Sequence, residues 1–212
     1  MLILNLLILA TLAAQCGPAV APSTTTAIIR AESGGNPYAI GDNTTRKSHF
    51  PKSREEAIQL ARSLLSRGHN LDLGLMQINS SHLKPRNLSL EEIFDPCRNI
   101  NIGATILAEF YQANDHGEAR DIVLFKALSA YNTGSAWRGP GYVNRILRTA
   151  GVPYRVALTN PPPSGRTQQK FGKGPSARET LTADNRSLFF PGTFKTGEPN
   201  GLSMPLDNPK AR

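Results

Sequence analysis

The chain lacks the features that mark most metalloproteins and nucleic-acid-binding proteins. Its four histidines, at positions 49, 69, 82 and 116, show no metal-ligand spacing, so we expect no metal or other cofactor. No basic stripe with interleaved aromatic residues accompanies the net charge of +8, which makes nucleic acid a weak candidate partner. No stretch of six or more residues alternates convincingly as a strand, and no internal repeat is visible. These absences favour a mostly helical domain, and its positive charge suits an anionic polymer or a membrane surface.

Long apolar runs are also scarce. The only one, residues 2–12, is too short to span a bilayer comfortably and resembles the apolar region of a secretory signal. Small-residue preference places cleavage after Ala13 or Ala14, so we predict a signal peptide at about residues 1–14 and no stable membrane span after its removal. The usual basic flank is missing, and an uncleaved anchor or a buried core segment remains the alternative.

Cysteine is nearly absent. The chain has two, Cys16 and Cys97, and in an exported protein two cysteines are most simply one disulfide. Closing a loop of about 80 residues would stabilise the fold by roughly 4 kcal/mol on the chain-entropy model. A lipid on Cys16 is the rival interpretation, but Gln15 is a poor fit to the small residue normally required before a lipid-modified cysteine.

Apolar residues at helical spacing dominate the first three quarters of the chain. They predict helices over residues 24–31, 99–112, 119–131 and 142–150, the first of them capped by Ser23. Capping-box patterns at Ser53 and Ser89 predict the start of two more, and Gly68 should stop the longer one. From about residue 160 the character changes, because this segment holds eight of the 16 prolines and few apolar clusters. We therefore predict a folded domain at 15–159 and a disordered tail at 160–212.

Glu32 stands at the end of the first predicted helix, immediately before a glycine-rich break. Gly34 and Gly35 can adopt backbone conformations that other residues avoid, so the carboxylate would sit on a firm element and face open space. Apolar neighbours that partly shield such a group can keep it protonated near neutral pH, ready to donate. For an isolated Glu-Ser-Gly, a solvated glutamate at a helix end is the ordinary alternative.

Three further segments combine glycine with amides and tyrosines. They are Gly74-Leu75-Met76-Gln77-Ile78-Asn79, Ala130-Tyr131-Asn132-Thr133-Gly134 and Gly141-Tyr142-Val143. Amides bond to the hydroxyl and acetamido groups of sugars, and tyrosine faces stack on sugar rings. Considered alone, Met76 is more often a core residue and Asn132 more often a helix cap.

Together and in this order, the segments resemble one family. Glu32-Ser33, the 74–79 segment, Asp-Pro-Cys-Arg-Asn-Ile at residues 95–100, the 130–134 segment and Tyr142 are similar to the motifs of lysozyme-like lytic transglycosylases. The closer resemblance is to the transglycosylase subunit of bacterial type IV secretion systems, through the Asp72-Leu73 lead-in and Cys97. The resemblance covers about residues 22–155. It implies a mainly α, lysozyme-like domain of the goose-type or soluble lytic transglycosylase kind.

The resemblance also implies an activity. The substrate would be peptidoglycan glycan strands, cut at the MurNAc-β-1,4-GlcNAc bond with formation of 1,6-anhydroMurNAc. Glu32 matches the catalytic glutamate and would act first as acid and then as base. The enzyme would work in the periplasm of a Gram-negative envelope, opening the wall for a type IV secretion system whose envelope components are the expected partners.

The family's substrate-binding positions transfer to six residues: Ser33, Met76, Gln77, Tyr131, Asn132 and Tyr142. Gln77 and Asn132 would bind sugar, and Met76 would line the cleft floor. Tyr131 would orient the glutamate or the acetamido group of the substrate, and Ser33 would help to fix its own loop. Tyr142 matches the last tyrosine of the family.

Two other functions stay open at this stage. A hydrolytic lysozyme-type muramidase that inverts would need a base about 6.5–9.5 Å from the acid. Asp42 and Asp72 are the only acids in the neighbouring loops, and neither lies in a motif that requires a base. A non-catalytic wall-binding scaffold is the other alternative, although binding alone would not need an intact Glu32.

Overall fold

The computed structural model describes residues 2–152, and helices dominate this range. This confirms the predicted mainly α class. The seven α-helices of the described range are α1 (Leu6–Cys16), α2 (Pro22–Glu32), α3 (Arg54–Ser66), α4 (Leu90–Ile93), α5 (Pro96–Asn114), α6 (Arg120–Thr133) and α7 (Pro140–Thr149). The predicted tail and the last residues of the predicted domain lie outside the described residues, so the domain boundaries stay predictions.

Local chemistry explains where the helices begin, and it corrects one predicted cap. α2 starts at Pro22, whose missing N–H and fixed φ suit a first helical position, and its N-cap is Ala21. The predicted cap, Ser23, therefore lies inside the first turn. α3 and α4 begin after the predicted caps Ser53 and Ser89, whose hydroxyls each accept a backbone N–H from three residues further on.

A small antiparallel sheet lies between the helices, and the sequence did not predict it. Its strands are β1 (Ile40–Asp42), β2 (Lys47–His49), β3 (Leu71–Leu73) and β4 (Ile78–Asn79), in the order β2-β1-β3-β4. Each strand has two or three residues, which is too few for an alternating pattern to show in sequence. The turn between β3 and β4 is the Gly74–Gln77 part of the amide-rich motif, so the sheet fixes one of the predicted site segments.

Helix α5 forms the centre of the described core. It packs against α1, α4, α6 and β4, and much of its surface is buried. Gly103 lets the β3–β4 turn approach closely, because a Cβ at that position would lie 2.5 Å from the sulfur of Met76. Met76 itself is completely buried. The position of the turn is therefore set by packing on α5.

The predicted disulfide is present and joins α1 to α5. Cys16 ends α1 and Cys97 lies in the first turn of α5, with their Cα atoms 5.2 Å apart. α1 also packs against α2 and buries Leu9 and Ala13. Over residues 2–152, no helix combines the length and apolar character needed to cross a bilayer.

Candidate active site

Glu32 is the last residue of α2, as predicted, and its side chain is half-buried. The chain leaves the helix through Ser33, whose hydroxyl donates to the Ile29 carbonyl at 3.2 Å and accepts the Gly35 N–H at 3.2 Å. Gly34 and Gly35 have φ values of +63° and +87°, a region that costs little only for glycine. Ser33 thus bonds both the end of α2 and the loop that follows it, and Glu32 stands at the helix end.

Tyr142 holds the Glu32 carboxyl group. Its hydroxyl donates to Glu32 Oε1 at 2.7 Å, across 110 positions of sequence. Burial raises the pKa of Tyr142 well above its ordinary value of 10, and the neighbouring Glu32 charge raises it further. The phenol therefore stays protonated at neutral pH. Pro140 at the start of α7 and the Arg145 guanidinium, 5.2 Å from the ring centre, help to fix the tyrosine in place.

We expect Tyr142→Phe to lower kcat for glycan cleavage about tenfold and to change KM little. The ring keeps its buried place, and the loss is one hydrogen bond to a charged group, for which about 1.4 kcal/mol is a typical cost. Soluble uncrosslinked glycan strands allow kcat and KM to be separated. Tyr38→Phe is the matched control, because the Tyr38 hydroxyl makes no hydrogen bond within residues 2–152. Equal losses in the two variants, or a change in KM alone, would contradict a positioning role for Tyr142.

Tyr131 lies near the glutamate but bonds elsewhere. Its hydroxyl donates to the Met76 carbonyl at 2.8 Å, and the contact is buried. Burial raises the pKa of Tyr131 well above 10, with further increases from the charges of Glu32 and Asp72. The structure therefore shows a direct hydrogen bond from Tyr142 to Glu32, whereas the sequence assigned to Tyr131 the orientation of either the glutamate or the acetamido group of the substrate. Tyr131 instead anchors the β3–β4 turn beside Glu32.

The β3–β4 turn holds Gln77 in a strained conformation. Gln77 has φ +48°, which is uncommon for a residue with a side chain, and it is 9% exposed. Its amide nitrogen donates to the carbonyls of Ala39 at 3.1 Å and Gly74 at 2.8 Å. Met76 has no exposed surface, which corrects the expectation that its side chain lines the cleft floor. Packing on Gly103 draws that side chain into the core, and the Met76 carbonyl receives Tyr131.

Asn99 supports this turn, and the sequence reasoning did not single it out. The Asn99 side-chain oxygen accepts the Met76 N–H at 2.8 Å. Its amide nitrogen donates to the carbonyls of Leu73 at 3.0 Å and Ile93 at 2.9 Å. The sequence did contain a signal for Asn99, because this residue belongs to the Asp-Pro-Cys-Arg-Asn-Ile motif that carried the family resemblance. A buried asparagine needs hydrogen-bond partners, and the last residues of β3 and α4 together with the Met76 N–H supply them here.

Asn132 has an amide that is available to a ligand. It lies in the last turn of α6, half-buried, and its side chain makes no hydrogen bond within the described range. The loop that follows is firmly held, since the Ser129 hydroxyl donates to the Ser135 carbonyl and accepts the Gly139 N–H. Of the predicted sugar-binding amides, Asn132 is the one whose side chain makes no hydrogen bond to residues 2–152.

Asp42, one of the two candidates for the base of a hydrolytic mechanism, is already engaged. It is 3% exposed, accepts the Thr45 hydroxyl at 2.7 Å and lies 2.8 Å from His69 Nδ1. The backbone N–H groups of Thr44 and Thr45 also donate to it. Burial acts to raise the pKa of Asp42, but these hydrogen bonds outweigh burial and lower the pKa from 3.8 to about 2. Such a carboxylate is a weak base at neutral pH.

Asp72, the other acid, is held by amides. The side-chain nitrogens of Asn43 and Asn79 each donate to its carboxylate at 2.9 Å, and the residue is 9% exposed. Asp72 pairs with Gly41 and Asn79 across the sheet, so its position belongs to the strand framework. Neither acid has the accessible, lightly bonded carboxylate that would activate a water molecule.

The lowered pKa of Asp42 makes part of the protein's stability depend on pH. The carboxylate is stabilised fully above its ordinary pKa of 3.8, and this stabilisation disappears as the pH falls through about 2. The penalty of Asp42→Asn on the free energy of unfolding should therefore shrink by about 1–2 kcal/mol between pH 5 and pH 2. Urea unfolding across this range measures it, with the exposed Asp115→Asn as control. A penalty that does not change with pH would show that the hydrogen bonds do not favour the ionised form.

Within the described range, no three residues of the histidine, cysteine, aspartate and glutamate types are grouped so that they could hold a metal ion. The site therefore consists of one half-exposed glutamate, a buried tyrosine that donates to it, an amide-rich turn and a free asparagine amide. Acid–base chemistry on a polar ligand is the chemistry that these groups support.

Comparison with known proteins places this site in context. The model of the transglycosylase SLT domain family matches residues 10–140. The protein VirB1 of Agrobacterium fabrum is 36% identical over 140 residues, which cover 65% of this chain and 57% of VirB1. The type IV secretion system protein VirB1 of Brucella abortus is 35% identical over 164 residues, which cover 71% of this chain and 67% of the Brucella protein. The invasion protein IagB of Salmonella typhimurium is 36% identical over 96 residues, which cover 42% of this chain and 56% of IagB.

The chain thus spans between 57% and 67% of the length of the two VirB1 relatives. No solved structure gives a significant match.

Proposed function

The chain belongs to the transglycosylase SLT domain family, and on this premise we propose that it is a peptidoglycan lytic transglycosylase with Glu32 as its single acid and base. The family match confirms the family and the lysozyme-like fold that the motifs indicated. It also confirms the predicted enzyme class at the level of the family. The substrate, the bond cut and the cellular role of this chain are parts of the proposal.

The observation that carries the proposal is the placement of the Glu32 carboxyl group at the firm end of α2, in contact with Tyr142. The carboxyl group sits half-exposed at a helix end, and Tyr142 donates to one of its oxygens at 2.7 Å. The two acids of the neighbouring loops, Asp42 and Asp72, are taken up by hydrogen bonds within the fold. A mechanism that uses one carboxyl group twice fits this arrangement better than one that needs a second carboxylate.

In the first step, protonated Glu32 donates its proton to the glycosidic oxygen. The bond from C1 of MurNAc to O4 of GlcNAc breaks, and GlcNAc leaves with that proton on its 4-hydroxyl. The acetamido group of MurNAc stabilises the positive charge that develops at C1. Tyr142 stays bonded to the other carboxyl oxygen, so Glu32 keeps its orientation when its charge changes.

In the second step, the Glu32 carboxylate takes the proton of the C6 hydroxyl of MurNAc. The C6 oxygen bonds to C1, and the product is a 1,6-anhydroMurNAc end. Glu32 returns to its protonated form, so no water is consumed. The buried Tyr142 hydroxyl stabilises the carboxylate between the two steps.

Substrate binding is proposed for the residues carried over by position. The amide of Asn132 is best placed to bond an acetamido or hydroxyl group, because no other residue of the described range bonds to it. Gln77, Ser33 and Tyr131 shape the backbone around Glu32, and Met76 contributes through its carbonyl. Their proposed part in binding is to fix the walls of the site.

A role in type IV secretion is proposed from the relatives. The Brucella abortus relative is named a type IV secretion system protein, VirB1, and the Agrobacterium fabrum relative shares only the name VirB1. We expect this chain to open the wall locally for such a system, with its envelope components as partners. The disulfide between Cys16 and Cys97 supports an oxidising compartment, which for a wall enzyme is the periplasm.

Product analysis tests the proposed chemistry. Purified protein digesting isolated wall should release muropeptides with 1,6-anhydro ends, about 18 Da lighter than the hydrolytic products because no water is added. Mass spectrometry separates the two. Reducing ends as the main product would favour a hydrolytic muramidase, and wall binding without release of muropeptides would favour the scaffold function.

A further inference from the structure

Helix α1 has one side in the core of the domain and the other in solvent. Leu9 and Ala13 are 2% and 0% exposed, whereas Leu7 on the same helix is 77% exposed. Cleavage after Ala13 or Ala14 would remove both buried residues from the core. Burial of one side of α1 in the core shows that the helix packs against the domain, while Leu6 and Leu7 on its other side are exposed.

The carboxyl end of α1 is held by α5. Cys16 is joined to Cys97, and the Asn101 side chain donates to the Cys16 carbonyl at 3.1 Å. The backbone at Gly17 also lies close to α5, because a Cβ there would be 3.1 Å from Ile100 Cγ2. The family match begins at residue 10, inside α1 and before the predicted cleavage points. The match therefore includes α1 from residue 10 onward, and the end of the helix is held by packing on α5.

The segment before α1 reaches the loop that follows Glu32. The Leu4 N–H donates to the Gly35 carbonyl at 2.9 Å. A Cβ on Gly35 would lie 2.8 Å from the Leu4 carbonyl oxygen and 3.2 Å from Leu9 Cδ1. Residues 4 and 9 thus pack on the loop three positions beyond the glutamate.

We propose that residues 2–16 stay in the mature protein as the first helix of the catalytic domain, and that Leu4 and Leu9 position the loop after Glu32. This selects the core-segment alternative over a cleaved signal peptide. The positioning role rests on the proposed function, whereas retention of the helix does not. An export signal that is not cleaved stays with the exported chain, so the periplasmic proposal is unaffected.

Two leucines of α1 test retention. Leu9→Ala and Leu7→Ala remove the same apolar atoms from α1, but only Leu9 is buried. In full-length protein recovered from the periplasm, the intact mass should include residues 2–16. Leu9→Ala should lower Tm by about 6–15 °C, the range expected for a buried leucine truncation, and Leu7→Ala by less than about 2 °C. A mass that lacks residues 1–14, or equal melting of the two variants, would overturn the proposal.

Two glycines test positioning. Gly34→Ala and Gly35→Ala both place a side chain at positive φ, but at Gly34 an added Cβ meets nothing within 4 Å. We expect kcat for glycan cleavage to fall about tenfold further in Gly35→Ala than in Gly34→Ala, with similar KM values. Equal kcat values would overturn the positioning role. Failure of the unmodified protein to cleave wall would instead count against the proposed function, and the mass and melting results would still decide retention.

Discussion

Glu32→Gln is expected to abolish wall cleavage, with a loss of about 10³-fold or more, while the fold and the binding of wall persist. The substitution keeps the size and the hydrogen-bond acceptor that faces Tyr142. It removes the carboxyl group that donates one proton in the first step and accepts another in the second, so neither departure of GlcNAc nor attack by the C6 hydroxyl is assisted. Release of soluble muropeptides from purified wall measures the loss, and pelleting with wall measures binding.

The matched control for this experiment is Glu55→Gln. Glu55 is exposed in the first turn of α3, and the same chemical change there should leave cleavage unaltered. Melting curves of both variants establish that the fold is intact. Substantial muropeptide release by Glu32→Gln would show that another residue is the acid, and the assignment of Glu32 would then be wrong.

The position of Glu32 was predictable because its determinants are local. A short apolar pattern, then Glu-Ser-Gly-Gly, is enough to place a carboxyl group at a helix end before a left-handed turn, and the two glycines do have positive φ. The serine caps of α3 and α4 were predictable for the same reason. Each of these features depends on residues within a few positions of one another.

The contacts around Glu32 were not predictable, because they join distant parts of the chain. Tyr142 and Tyr131 both lie in tyrosine motifs, and only the packing of α7 against α2 brings the Tyr142 hydroxyl to the glutamate. Burial of Met76 depends likewise on the absence of a side chain at Gly103 of α5. The strands were missed because pairing between segments, and not length or alternation, creates them.

Asn99 is a further residue whose contacts could not be predicted, although its motif was noticed in the sequence. The motif that contains it supported the family resemblance, yet nothing local says that its side chain turns inward to bond three backbone groups. The Asn99 side chain lies so close to the backbone of the turn that position 74 must be glycine, because a Cβ there would lie 2.3 Å from Asn99 Nδ2. Asn99 and Gly74 therefore form one packing unit that holds the β3–β4 turn against α5.

Asn99→Ala is expected to lower the free energy of unfolding by about 3–5 kcal/mol. Asn99 is 1% exposed, and its removal leaves the Met76 N–H and the carbonyls of Leu73 and Ile93 buried without their partner. Asn101→Ala is the control, two residues further along α5. The half-buried Asn101 side chain makes a single hydrogen bond, to the Cys16 carbonyl, and its loss should lower the free energy of unfolding by only about 0.5–1.5 kcal/mol.

Chemical denaturation of the two variants measures the difference. Cleavage by the folded fraction of Asn99→Ala should also fall, because the turn that carries Gln77 loses its support beside Glu32 and the Met76 carbonyl that anchors Tyr131 is free to shift. Equal losses of stability in the two variants would show that water or rearranged side chains replace the Asn99 bonds. Normal cleavage by destabilised Asn99→Ala would mean that the turn keeps its shape through strand pairing alone, and that Asn99 supports the fold without acting on the site.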